Sequence, residues 1–282
     1  MIHTNELESL KQSHILAIVS GKGGVGKTNT ASNLAIFAAG TGKKVLLCDG
    51  DLGLANVDVL MGLSPKHTIR EILESKADLS KAMVPGPMGI TVLAACSGYT
   101  DMVDLDEARF ELFRDKFNHA ALSYDFVVID TPTGISLNMQ RMAALANEIV
   151  LVTTPEPTAV MDAYAVAKIL SAQHPSAPIR LLVNMISQFD AGERIAIGFE
   201  EVASRFLRRK IETVAHIPFD PHVPLAVRRQ IPFSMCYPDC PATRSLNQMG
   251  AKLGIKAISK FMNPVESVCS RRTSTWPRRL LG

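Results

Sequence analysis

No apolar run in the 282-residue chain approaches the ~18 residues that a membrane-crossing helix requires. Met1 to Ser13 also lacks the apolar stretch of a secretory signal, so the expectation is a cytoplasmic protein. Cysteine is scarce. The five thiols, at 48, 96, 236, 240 and 269, are odd in number and irregularly spaced, which argues against a disulfide framework and for reduced side chains. Cys236 and Cys240 form the only close pair, and without a second pair or a histidine beside them they make half a metal site at most. A surplus of either charge is missing too: 30 basic and 27 acidic residues give a net charge of +3. Internal repeats and low-complexity segments are absent.

The small positive charge is not evenly spread. Ser267 to Gly282 contains four arginines, at 271, 272, 278 and 279, and no acid, so the remainder of the chain is close to −1. A balance near −1 speaks against a dominant nucleic-acid role, which relies on basic surface tracking phosphates. Arg205, Arg208, Arg209 and Lys210 in one helix-like stretch, and Arg228 and Arg229 in another, read instead as solvated helix faces.

What is present is an α/β pattern. At 47% hydrophobic and 20% charged residues, the chain suffices for one large core. Short apolar runs at Ile15 to Val19, Val45 to Cys48, Ile90 to Ala94, Phe126 to Ile129, Ile149 to Thr153, Ile179 to Val183 and Val214 to Ile217 alternate with helical patterns. Near-continuous Val/Ile/Leu strands separated by helices predict a doubly wound, mainly parallel sheet with helices on both faces. Asp104 to Phe117 places Leu105, Ala108, Leu112, Phe113 and Phe117 at helical spacing, and Ala159 to Leu170 is similarly apolar; both stripes read as core. In such a sheet ligands gather at the carboxyl ends of strands.

The strongest motif follows the first strand. Gly21-Lys22-Gly23-Gly24-Val25-Gly26-Lys27-Thr28 satisfies the phosphate-loop pattern G-x-x-x-x-G-K-[ST], and Thr28 to Ala39 reads as the helix that opens there. Glycines at 21, 23, 24 and 26 are expected to take positive φ and bring backbone amides against phosphate oxygens at a helix N-terminus. Lys27 would pair with the β- and γ-phosphates and the Thr28 hydroxyl would ligate Mg²⁺, with Asn29 beside them in the nucleotide site. Three other strand ends carry polar groups. Asp49 and Asp51 follow the second strand, with spacing that lets both face the phosphates. Asp130 ends Phe126-Val127-Val128-Ile129, a rigid delivery of a carboxylate to a metal shell, where it is expected to meet Mg²⁺ through water. Asn184 ends Leu181-Leu182-Val183, and its amide can pair with the N6 and N7 edge of adenine. No Asn-Lys-x-Asp follows it, so ATP is favoured over GTP.

Lys22-Gly-Gly-Val-Gly-Lys-Thr28 resembles the deviant phosphate loop of the MinD/ParA family of P-loop ATPases. That resemblance implies a MinD-like fold and an ATP-dependent homodimer in which Lys22 touches the nucleotide of the other copy while Lys27 serves its own. It also implies that Asp51 positions or deprotonates the attacking water, that Asp49 and Asp130 stand near Mg²⁺, and that Asn184 sits over the base. Ile217-Pro218-Phe219-Asp220 resembles the loop that closes over the base, through Pro218 and Asp220. Thr133 departs from the small residue usual in the Asp-x-x-x-Gly switch, and an iron–sulfur carrier role is disfavoured.

Asp51 to Asp58, Leu60 to Pro65, Ala94 to Gly98, Glu156-Pro-Thr158 with Asp162-Ala-Tyr164, and Ala226 to Phe233 further resemble the FlhG/FleN branch of the family, which regulates flagellar number and placement. Implied partners are an FlhF-type GTPase or a flagellar transcription activator. The alternatives are a MinD-type division-site regulator and a ParA-type DNA-segregation ATPase. The organisation expected is an N-terminal extension (1–13), an ATPase domain (14–263) and a basic C-terminal tail (264–282). The extension matches the branch's GTPase-stimulating motif only loosely. The tail carries Trp276, Leu280 and Leu281 among its arginines, which suits either peripheral contact with an anionic membrane or a disordered basic end.

Overall fold

The computed structural model describes residues 13–53, 56–75, 78–95, 105–187 and 189–256. Nearly all of the N-terminal extension, the 264–282 tail and the thiols of Cys96 and Cys269 lie outside them. The sheet has eight strands: β1 (His14–Val19), β2 (Val45–Asp49), β3 (Met83–Pro85), β4 (Thr91–Leu93), β5 (Phe126–Asp130), β6 (Glu148–Thr153), β7 (Ile179–Ile186) and β8 (Glu212–Pro218). Their order across the sheet is β3-β4-β2-β5-β1-β6-β7-β8, parallel throughout except for the antiparallel edge strand β3.

Strand side chains alternate between two cores, as a pleated sheet requires. Ala17, Val19, Leu46, Cys48, Val127 and Ile129 face one side, with the helices α3 (Ile69–Ser75), α4 (Glu107–Ala121), α5 (Leu137–Ala144), α6 (Pro157–Gln173) and α7 (Phe189–Val202). Leu16, Ile18, Val45, Leu47, Phe126 and Val128 face the other. That side is covered by α1 (Lys27–Gly40), α2 (Val57–Met61), α8 (His222–Arg228), α9 (Phe233–Cys236) and α10 (Pro241–Lys252). Because both faces are covered, apolar residues run unbroken along the central strands, and this is why those strands stand out in the sequence. No helix among the described residues is long and apolar enough to cross a membrane.

Three expectations need correction. In α4 the buried stripe is Phe110, Phe113, Phe117 and Ala121; Ala108 is exposed and Leu112 only half-buried. Asp106 starts the helix, its carboxylate accepting the Arg109 N–H, and packing against the sheet buries the phenylalanine face. Strand β7 does not stop near Asn184 but continues to Ile186 through an irregular register, with Met185 at φ 57. The basic stretch after α7 is not one helix face. The chain winds as a π-helix over Ala203–Leu207, Arg208 turns left-handed, and the Arg209 guanidinium bonds the carbonyls of His174 and Ala177 behind α6.

Candidate nucleotide site

Strand β1 sits at the centre of the sheet: the chain leaves it for β2 on one side, beyond β5, and builds β6, β7 and β8 on the other. This is the switch point at which doubly wound sheets open a crevice. The phosphate loop leaves β1 there and enters α1 at Gly26, whose φ of 92 is left-handed. A Cβ on Gly26 would also lie 2.3 Å from Asn184 Nδ2, so only glycine fits. Gly24 shares the left-handed conformation (φ 78), whereas Gly21 and Gly23 do not, contrary to expectation. Gly21 serves close approach instead: a Cβ there would come within 2.4 Å of the Asp162 backbone in α6.

Lys27 is buried, and its Nζ lies 3.4 Å from Asp130 Oδ1. The Thr28 side chain hydrogen-bonds the same carboxylate. Asp130 pairs in register with Asp49 across β5 and β2, so two buried carboxylates stand side by side and Lys27 pairs with Asp130. Burial and the Asp130 charge push the Asp49 carboxyl up to about 8, against the pull of three backbone amides. Those amides come from Asp51 (3.1 Å), Asn56 (2.9 Å) and Val57 (3.0 Å), so Asp49 also ties the loop after β2 to the start of α2. Asp130 is raised as well, by burial, with Lys27 and Thr28 opposing. Asp51 is half-buried and near enough for its charge to act on Asp130. A hydroxyl and a cluster of carboxylates beside a lysine form a hard-oxygen donor set suited to Mg²⁺ with a polyphosphate.

The charge excess sets a pH dependence. A carboxyl whose folded pKa is raised stabilises the fold while protonated and loses that contribution as pH rises from its unfolded value, near 4, toward about 8. The nucleotide-free chain should therefore lose stability on the order of 1 kcal/mol between pH 6 and pH 8. Thermal unfolding should show the stabilisation by Mg²⁺ and ADP to be larger at pH 8, where a cation no longer competes with a proton.

Asn184 donates its amide to the Val25 carbonyl at 2.8 Å, joining β7 to the phosphate loop. It lines a cleft with Asn29, Met185, Pro218, Phe219 and Asp220. The β7 irregularity turns Met185 into this cleft, a device frequent beside active sites. Met185 and the exposed Phe219 supply apolar surface for a base that sequence motifs did not assign; both directly follow or precede motif residues.

Lys22 points elsewhere. Its Nζ lies 2.5 Å from Glu156 Oε2 and 3.0 Å from Thr158 Oγ1, at the solvent-facing start of α6. Glu156 and Thr158 entered only as part of the branch resemblance, with no role at the nucleotide; an acid just past the end of β6, level with the loop, is the signal that points to them. The loop after β5 completes the rim, with Thr131 bonded to the Ile18 carbonyl and the Gly134 N–H to that of Ser20. Thr133 is exposed there.

Comparison with known proteins supplies the family. A family model described as an AAA domain matches residues 13–175. The antiactivator FleN of Pseudomonas aeruginosa is 35% identical over 248 residues, 88% of this chain and 89% of that protein. The flagellum site-determining protein YlxH of Helicobacter pylori is 36% identical over 174 residues, covering 61% of this chain and 58% of its own length. Among solved structures, the septum site-determining protein MinD of Pyrococcus horikoshii, complexed with Mg-ADP, superposes with a TM-score of 0.72 at 24% identity, over 86% of this chain and 96% of that one. With this fold, this phosphate loop and a relative of such identity along most of its length, the chain belongs to the MinD/ParA family of P-loop ATPases.

Proposed function

We propose that the chain is an ATP-hydrolysing dimerisation switch that regulates flagellar number or placement. The observation that carries this reading is the position of Lys22. One loop lysine, Lys27, is buried on Asp130, while the other is held at the rim by Glu156 and Thr158. A rim lysine beside a phosphate site suits a nucleotide in a second copy. Exposed apolar side chains on the bordering segments, Ile135 and Leu137 after β5 and Met161 in α6, offer that copy a face to bury.

Bound ATP would supply the phosphoryl group and Mg²⁺ the charge that offsets Asp49 and Asp130. The chain's own groups do the rest. Loop amides and Lys27 hold the phosphates, Thr28 and Asp130 hold the cation, and Asp49 braces the Asp51 loop through its three amide bonds. Asp51 orients the attacking water, where placement counts for more than basicity. The second copy's Lys22 brings a positive charge to the transition state. Asn184, Pro218 and Asp220 frame the base. Turnover is then tied to association, and the dimer presents a surface to an FlhF-type GTPase or a flagellar transcription activator. The similarity to FleN and YlxH along the chain supports the flagellar role. We further propose a cytoplasmic protein whose 264–282 tail meets anionic membrane.

Deleting the gene and counting flagella per cell tests the biological assignment. A changed number or position is expected; an unchanged count with misplaced division septa or lost chromosome segregation would contradict it.

A further inference from the structure

Behind the base cleft, three side chains of different donor chemistry converge. Asp220 follows β8, His222 opens α8, and Cys240 immediately precedes α10. One carboxylate oxygen, one imidazole nitrogen and the thiol sulfur all lie within 4.8 Å of one another. The backbone fixes the carboxylate, since Oδ1 accepts the His222 N–H at 3.0 Å and Oδ2 accepts the Ala242 N–H at 3.1 Å. These bonds outweigh burial and hold its pKa at about 2, so it is an anion at neutral pH. His222 Nδ1 stands 2.8 Å from Oδ1, and the Tyr237 ring, 4.5 Å away centre to centre, fixes the imidazole plane. The Cys240 sulfur lies 3.3 Å from Thr243 Oγ1 and hydrogen-bonds Asp220. Asp220 and Cys240 are buried, whereas the His222 side chain is 44% exposed, which leaves an entry path along the imidazole.

We propose that Asp220, His222 and Cys240 form a Zn²⁺ site that pins the base-side loop to the start of α10. A mixed oxygen, nitrogen and sulfur set is the chemistry of zinc and not of the hard cations that serve phosphates. Zinc bonds of about 2.0–2.3 Å hold tetrahedral ligand atoms roughly 3.3–3.8 Å apart. The three donor atoms, all within 4.8 Å of one another, lie close to that spacing. The metal replaces the direct Nδ1–H···Oδ1 hydrogen bond, with the imidazole proton relocated through solvent from Nδ1 to Nε2, and the thiol proton passes to solvent as the thiolate binds. The amides of His222 and Ala242 continue to orient the carboxylate from outside the shell. Three protein ligands leave the fourth position to water, on the exposed side of His222. A thiolate-activation role fits less well, because burial and Asp220 raise the Cys240 pKa. Since Phe219 and Asp220 also line the nucleotide cleft, metal occupancy bears directly on the mobility of one cleft wall.

The test uses the full chain, stripped with EDTA, titrated with Zn²⁺ against a chromophoric chelator and separately loaded with Co²⁺. One Zn²⁺ per chain is expected, together with a near-ultraviolet thiolate-to-cobalt band. Cys240→Ser should abolish the band, and Cys240→Ser and His222→Gln should each weaken zinc by at least tenfold. The Cys240 side chain makes no capping bond to α10 and serine is close to it in size, so the variant's unfolding temperature should match the parent's without metal. Cys48, wholly buried in the core, and Cys236 are the other thiols among the described residues, so the variant decides which thiol is the ligand. A band that survives Cys240→Ser, zinc affinity unchanged in both variants, or no zinc binding by the parent chain would overturn the assignment.

Discussion

Replacing Lys22 with alanine should lower ATP turnover by about a hundredfold or more while leaving nucleotide affinity within a factor of a few. A cationic finger supplied across an interface accelerates phosphoryl transfer by roughly 10³–10⁵. A lysine offers a point charge without the bidentate geometry of arginine, so an effect at or somewhat below the lower end of that range is the expectation. Affinity should be spared because Nζ is engaged by Glu156 and Thr158 and not by the carboxylates that surround Lys27. The ion pair does not trap the lysine. Both partners are well exposed, and pairs of this kind are worth at most about 1 kcal/mol, so Lys22 can leave Glu156 for a phosphate at little cost. Steady-state hydrolysis and fluorescent-nucleotide titration of the same variant separate the two effects. Normal turnover would remove Lys22 from the chemistry.

Lys27→Ala should act at the earlier step and reduce nucleotide affinity by at least a hundredfold. Lys27 is the one cation paired with Asp130 among the described residues, and it is almost wholly buried. Without it, Asp49 and Asp130 would face an incoming polyphosphate with no compensating charge. The nucleotide-free variant should also unfold at a lower temperature, because losing one partner of a buried pair leaves an uncompensated carboxylate. That loss should shrink as pH falls and the carboxyls protonate, which distinguishes an electrostatic defect from a packing one. Binding within threefold of the parent would contradict the role given to Lys27.

Chemistry carried by single short segments was legible before the structure. The loop from Gly21 to Thr28 declares itself because eight consecutive residues must satisfy one backbone path, and Asp130 does so because four apolar residues deliver it from a buried strand. Strand β3 was not legible. It spans only three residues at the sheet edge and ends on Pro85, too short for its Met-Val-Pro to stand out as a strand. In α4, Ala108 and Leu112 fit one face and Phe110, Phe113 and Phe117 another, and only packing against the sheet decides which is buried.

Pairings across the chain were less visible still. Asp49 could be placed at a strand end, but its bonds to Asn56 and Val57 depend on how the next loop folds back. Lys22 meets Glu156 only because β1 and β6 are neighbours in the sheet, 134 residues apart in sequence. Cys240 looked like half a metal site beside Cys236, whereas the fold sets it against Asp220 and His222 instead. Local patterns record what one segment needs and are silent on which distant segment supplies the partner.

The central claim, that nucleotide state controls association, is tested most directly by light scattering of the purified chain without nucleotide, with Mg²⁺ and ADP, and with Mg²⁺ and ATP. Asp51→Ala should be measured alongside, because a slowed hydrolysis step holds the ATP-bound form. The account predicts one chain's mass without nucleotide and with ADP, and twice that mass with ATP, most completely in Asp51→Ala. A mass that stays at one chain under ATP in both proteins would contradict it.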